Sequence, residues 1–384
     1  MARGKLLYVI NHPDWFWSHR LPLALGAKET GYEVLVAMPD GENNKKLSEY
    51  GFQGFDLPSF ENKGSPLTAV KTMCALQKLL QQQKPDIVHA ITLKYAFMTG
   101  IVTRFDKSSR TVHTIAGLGY LFSGEGIRPK ALRLLIGPLL KFALKGPRTR
   151  IIVQNPDDLD LLVRRGFVRE DRTILIRGSG VDTETFKPSG QPEEDPPIVL
   201  MPTRLLRDKG VSVFIDAARI LKKKGVNARF QIAGGLSPNS PGAITEPEMR
   251  QMIADASVEW LGKRDDMPDL LARTTLVAYP SHYREGVPKV LLEAAASGRA
   301  IVTTNHPGCR EAVQHGVNGL LVPIRNAPSL AAAIEELLLD APRRKSMENA
   351  SRIKAVTEFN LRLVVTQTLK NYEIKNPFCY GLNT

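Results

Sequence analysis

Apolar runs about one strand long recur along the chain, each followed by a stretch whose apolar residues sit three and four apart. In the first half the strand-like runs are Lys5–Ile10, Glu33–Met38, Ile87–Ala90, Arg110–Thr114, Thr149–Gln154 and Thr173–Ile176, with helical periodicity over Leu21–Thr30 and Leu67–Gln82. Short β-rich runs that alternate with longer helical patterns read as βαβ units and a parallel sheet. The pattern stops at Pro188, where a segment rich in Pro, Gly and acidic residues extends to Pro197. Such a composition has nothing to bury, so 188–196 reads as a linker. Beyond it the alternation restarts, with strands at Ile198–Met201, Arg229–Ala233, Val258–Trp260, Thr275–Ala278, Ala300–Thr304 and Gly319–Val322. Helices are expected at Gly210–Lys223, Pro288–Ser297, Pro328–Leu339 and Leu361–Tyr372. Repeated βα units predict two doubly wound, Rossmann-like α/β domains, 1–187 and 197–359. The helix at about 360–375 is expected to return to the first domain, and the tail Asn376–Thr384 to be loose.

Composition agrees with full-sized cores: 43% of the 384 residues are hydrophobic and 24% charged. Cys74, Cys309 and Cys379 are too few and too scattered for a disulfide framework or a zinc site, which favours a reducing, cytoplasmic setting. No secretion signal is expected, because Asn11-His12-Pro13 interrupts the first apolar run. The longest interrupted apolar stretch, Ala131–Leu144, falls short of the roughly 20 residues of a membrane span. It is instead amphipathic. Arg128, Lys130, Arg133, Lys141, Lys145, Arg148 and Arg150 flank its leucines, a pattern suited to an anionic leaflet or to a helix with solvated charges. The net charge of +13 favours polyanionic partners, among which position has to choose.

Candidate chemistry concentrates in turns that follow strands. Ser281–Gly298 leaves a strand and opens a helix that Pro288 starts and Gly298 closes, so the first N–H groups around Gly286, Val287, Pro288 and Lys289 face an anion. Glu285 precedes that helix. Glu293 lies within it among Leu and Ala, where a carboxylate needs a partner, from the protein or from a sugar hydroxyl. Met201–Gly210 carries Arg204, Arg207 and Lys209 in a strand-to-helix loop, able to clamp a diphosphate or simply to face solvent. Gly234 ends a strand, and Arg264 follows another in a loop that offers backbone groups to a base edge. In the first half His113 ends a strand before a glycine turn, and is expected in a carboxyl-end loop facing the crevice. His12, Trp15, His19 and Arg20 follow the first strand and are candidates for an acceptor pocket, the alternative being a packed staple.

Taken in order, these segments resemble the family 4 retaining nucleotide-sugar glycosyltransferases of the GT-B fold. The matching pieces are Gly178–Pro188, with Gly180-Val181-Asp182 and Phe186-x-Pro188; Arg204 with Lys209-Gly210; Glu285-Gly286 with Glu293-Ala294; and Pro307–Val322. The resemblance implies that Glu293 binds the ribose, Glu285 the transferred sugar, and Arg204 and Lys209 the diphosphate leaving group, without a divalent metal or other cofactor. His113 matches a histidine placed near donor sugar and acceptor. Ser179 stands where the family has Asn, and His12–Trp17 replaces a glycine-rich loop. Ser18–Pro22 and Gly117–Phe122 look like the subgroup that builds bacterial surface glycans on undecaprenyl-diphosphate with UDP-hexose or UDP-N-acetylhexosamine donors. The expected enzyme is therefore a retaining transferase on the cytoplasmic face of the membrane. An epimerase on the same fold and a nucleic-acid-binding protein are the rivals; no helix-turn-helix, RNA-binding or zinc signature supports the second.

Overall fold

The computed structural model describes residues 3–39, 43–58, 66–106, 108–119, 122, 127–189, 194–238, 240–255 and 257–373. The chain divides into two compact units, one made of Met1–Ser179 and Arg362–Thr384, the other of Gly180–Leu361.

The first unit is built on a parallel sheet of strands β1 (Gly4–Val9), β2 (Tyr32–Met38), β3 (Gln53–Asp56), β4 (Ile87–Ile91), β5 (Arg110–Ile115), β6 (Thr149–Val153) and β7 (Thr173–Leu175), in the order β3-β2-β1-β4-β5-β6-β7. β1, β2 and β4 bury side chains on both faces. One face packs Leu6, Tyr8, Val34, Val36 and Ile87 against helix Leu21–Glu29 and the end of helix Leu361–Glu373. The other packs Leu7, Val9, Leu35 and Val88 against helices Pro66–Gln83 and Leu93–Thr103. Two covered faces explain why these strands are mainly apolar and do not alternate with polar residues. β3 escaped sequence reading because Gln53-Gly54-Phe55-Asp56 is a half-exposed edge strand without such a run.

The second unit repeats the plan. Its strands are β8 (Ile198–Pro202), β9 (Arg229–Ala233), β10 (Glu259–Trp260), β11 (Leu276–Tyr279), β12 (Ala300–Thr304) and β13 (Gly319–Val322), ordered β10-β9-β8-β11-β12-β13 and all parallel. Helices Val211–Lys223 and Ala327–Leu339 share a core with one face, and helices Lys289–Ala296 and Met267–Arg273 with the other.

The proline-rich stretch does not divide the units as the sequence reading expects. The first passage falls at Ser179/Gly180, and the residues after it are held on the second unit. Val181 is buried in that unit's core and bridges to Asn360, and the Arg352 guanidinium donates to the carbonyls of Thr183 and Phe186. Pro188 then lies against Gly298. The segment is thus held by Val181 in the core, by Phe186 packed against it and by the Arg352 side chain on its carbonyls, long-range contacts that composition alone cannot show. Residues 190–193 of the linker and the tail Asn376–Thr384 lie outside the described residues.

Candidate active site

In the second sheet β8 has β9 on one side and β11 on the other, so the winding reverses between β8 and β11. Open α/β sheets bind ligands at the carboxyl ends of the strands at such a reversal. Both informative loops leave from there. Arg204–Gly210 follows β8 and Pro280–Pro288 follows β11, and they clasp one another. The amide of His282 donates to the Asp208 carbonyl at 2.9 Å, and the His282 ring lies 3.5 Å from the Asp208 carboxylate. Gly210 has φ +80°, and a Cβ there would stand 2.2 Å from the Pro280 carbonyl oxygen. Only glycine supplies both the conformation and the space.

The clasp buries a charge pair. Lys209 is 6% exposed, and its Nζ lies 2.5 Å from Glu285 Oε1. The same oxygen accepts from Tyr279 Oη at 3.0 Å and Ser281 Oγ at 3.4 Å. The rings of Tyr279 and Tyr283 flank the ammonium at 5.6 and 5.5 Å. Burial beside the Glu285 charge raises both phenols, so they stay protonated and Tyr279 can act as a donor. Glu285 is therefore fixed through one oxygen, while Oε2 has no hydrogen-bond partner among the described residues. A buried ion pair costs more in lost hydration than it returns in stability unless geometry and extra hydrogen bonds are good. These contacts provide them.

Arg204, on the same loop, is exposed, and its guanidinium has no ion-pair or hydrogen-bond partner among the described residues. Gly234, at the end of β9, approaches so closely that a Cβ would fall 1.4 Å from the Thr203 carbonyl oxygen, beside Arg204. The Trp260 indole fixes it by donating to its carbonyl at 2.8 Å. Gly286 is backed in the same way by Gly308, whose φ of +82° and lack of Cβ let it sit against the Gly286 carbonyl. Helix Lys289–Ala296 begins after Pro288 with no side-chain cap. Its first N–H groups have no intrahelical acceptor and form an anion-attracting end. One turn on, Glu293 is 9% exposed and paired with Lys289 at 3.5 Å. Burial raises its pKa, and Lys289 opposes the shift.

Lys209 with Glu285, Gly234 with the Arg204 loop, and Lys289 with Glu293 are thus brought together, while Tyr279 and Ser281, which hold Glu285, carried no signal in the sequence. Arg264 is placed differently. It follows the edge strand β10 and has a carboxylate of its own, Asp266.

The first unit differs more from expectation. His113 does not stand in a carboxyl-end loop: it lies inside β5, opposite Ala90 and Ile151, with no measurable exposure. Neither ring nitrogen has a partner among the described residues, and burial pulls its pKa to about 3, so it is neutral. The strand runs one residue beyond the expected Arg110–Thr114, to Ile115, and His113 faces the interior of the unit. His12 caps a short helix by accepting from the Asp14 amide at 3.1 Å, Trp15 stacks on His19 at 6.1 Å, and Arg20 ends a π-helical turn, Phe16–Arg20. The expected loop is therefore helical. Asp158-Leu159-Asp160 has the spacing of a metal-binding triplet, yet Asp158 is buried on Asn155 at 3.0 Å and Asp160 pairs with Arg164 at 2.6 Å.

The chain matches two family models, "Glycosyl transferases group 1" over residues 182–354 and "Glycosyl transferase 4-like" over residues 5–155. It is 28% identical over 371 residues to the N,N'-diacetylbacillosaminyl-diphospho-undecaprenol alpha-1,3-N-acetylgalactosaminyltransferase of Campylobacter jejuni, covering 93% of this chain and 96% of that one. It is 24% identical over 367 residues to the UDP-Gal:alpha-D-GlcNAc-diphosphoundecaprenol alpha-1,3-galactosyltransferase of Escherichia coli, covering 89% and 92%. Among solved structures, Anabaena HepE in complex with UDP-glucose superposes with a TM-score of 0.75 at 19% identity over 96% of this chain and 99% of that one. Nothing in these matches supports an epimerase. The group 1 model covers the unit that carries the Lys209–Glu285 clasp, the 4-like model covers most of the other, and the chain belongs to these glycosyltransferases, with the GT-B fold.

Proposed function

We propose that the protein transfers a hexose or N-acetylhexosamine from a UDP-sugar to an undecaprenyl-diphosphate-linked glycan, with retention at the anomeric carbon. The observation that carries this is Glu285, pinned through one oxygen by Lys209, Tyr279 and Ser281 with its other oxygen open, at the switch point of the second sheet. A carboxylate so held accepts from hydroxyls of the sugar, and Glu293 accepts from those of the ribose. Arg204, Lys209 and the uncapped start of helix Lys289–Ala296 stabilise charge on the departing diphosphate. The acceptor hydroxyl attacks from the face the diphosphate leaves. Preorganised cations do the work a divalent metal does elsewhere, and no other cofactor is needed. Two relatives whose names specify α-1,3 transfer to undecaprenol-linked sugars support the acceptor class and, for an α-configured donor, retention.

A second observation bears on where the acceptor is met. On helix Ile127–Leu144, Leu140, Ala143 and Leu144 face the core, while Leu134, Leu135, Leu139 and Phe142 are 82, 76, 53 and 40% exposed. Arg104 and Lys141 flank Phe142 and Phe167. An apolar stripe rimmed by cations suits the surface of an anionic leaflet. We read the protein as peripheral on the cytoplasmic face. Among the described residues no helix is long and apolar enough to cross a membrane. Arg150 does not join this stripe, being part of β6.

The test is a thermal-shift panel of UDP-, GDP- and ADP-sugars, followed by transfer assays on Arg204→Ala. Stabilisation by UDP-sugars is expected, with the variant losing transfer at least about a hundredfold. Its melting temperature should be that of the parent, since the removed side chain is exposed. A chain stabilised by none of these donors would end the reading.

A further inference from the structure

Arg20 is 7% exposed, yet no carboxylate or carbonyl among the described residues holds its guanidinium. Arg344, also buried, is held: it donates to the Leu337 carbonyl and lies beside Glu348, and the half-buried Arg352 donates to the carbonyls of Thr183, Phe186 and Ala296. The groups that sense the Arg20 charge are Tyr8, Tyr372 and His89. All are neutral, because burial raises both phenols and lowers the imidazole. Burial pulls Arg20 itself to about 10, so it remains a cation at neutral pH. A charge largely withdrawn from water without a counter-charge is costly to the fold.

Its place in the fold gives that cost a use. Arg20 follows β1, which neighbours β4 where the first sheet reverses its winding. It sits at the end of a π-helical turn, a device that re-aims side chains and recurs at functional sites. A second polar atom at the same strand end is also unsatisfied: Asn11 Oδ1 is buried without a donor among the described residues. A planar cation and a lone amide oxygen fit a phosphate with a sugar hydroxyl beside it.

We propose that Arg20 is the anion contact for the acceptor, holding a phosphate of the phosphate-linked glycan while Asn11 Oδ1 accepts from a neighbouring hydroxyl. This rests on the acceptor class proposed above. The experiment compares two acceptors carrying the same sugar, one on an alkyl diphosphate and one as an octyl glycoside, with the full-length wild type, Arg20→Gln and Arg20→Lys. Wild type should prefer the diphosphate acceptor. Arg20→Gln should raise its KM about tenfold or more, leaving the KM of the glycoside and the donor unchanged. Arg20→Lys should fall between them. Equal losses with both acceptors would make Arg20 structural and overturn the proposal. Should Arg20→Gln not fold, the wild-type KM ratio decides, and a ratio near one overturns it. Transfer to the glycoside without such a preference would leave the transferase itself standing.

Discussion

At the scale of single residues, the site depends on charges kept where water cannot screen them. Glu293 shows the consequence. Burial raises its pKa in the fold above that of the unfolded chain, and Lys289 compensates only in part. A raised carboxyl favours the protonated fold, so as pH rises through the unfolded value, ionising Glu293 costs stability. Glu293→Gln is therefore expected to raise the melting temperature at neutral pH, with the gain vanishing below about pH 4. Calorimetry on the same variant should show UDP-sugar affinity reduced by about tenfold or more. A variant that gained stability and kept its donor would leave Glu293 without a binding role. Glu285, Glu293, Arg204 and Lys209 could be singled out in the sequence because each lies in a strand-to-helix turn or in the helix that follows one. The partners of Glu285 were not: Tyr279 belongs to the strand core and Ser281 to a turn, and neither spacing announces a contact.

Among the elements, those with one dominant period were readable. Helix Val211–Lys223 and strand β12 appear within a residue of expectation. Helix Leu93–Thr103 did not, since apolar residues surround it, nor did Ala341–Glu358, which is polar over most of its length. Helix Ile127–Leu144 was recognised as amphipathic, but which face is bare emerges only once Leu140 and Leu144 are seen in the core. Leu135→Asp with Leu139→Asp should change stability by only about 0.5 kcal/mol, as befits exposed positions. Flotation with phosphatidylglycerol vesicles should fall severalfold in that variant, while transfer to a short, water-soluble acceptor holds. Undiminished flotation would refute the membrane-facing role.

For the molecule as a whole, the decisive feature is the return of helix Leu361–Glu373 to the first unit. Tyr372 is buried against β1 and β4, with its hydroxyl 2.6 Å from His89 Nδ1 and 3.2 Å from Tyr8 Oη. His89 Nε2 continues the chain to Thr114 Oγ1 at 2.7 Å. Replacing Tyr372 by Phe strands polar atoms inside the sheet and should cost about 1–3 kcal/mol. Denaturant unfolding should show that loss. A neutral result would mean the helix is held by apolar packing alone.

The order of strands and helices and the doubling of the domain were set by local patterns, because buried parallel strands are mainly apolar and alternate with helical periodicity. What the tertiary structure decided were matters of long-range contact: that His113 is fully buried, that the residues after Ser179 are held on the second unit, and that Arg20 is buried with no anion beside it among the described residues. Burial and pairing are properties of neighbours far apart in the chain, and no periodicity along a single sequence encodes which neighbours those are.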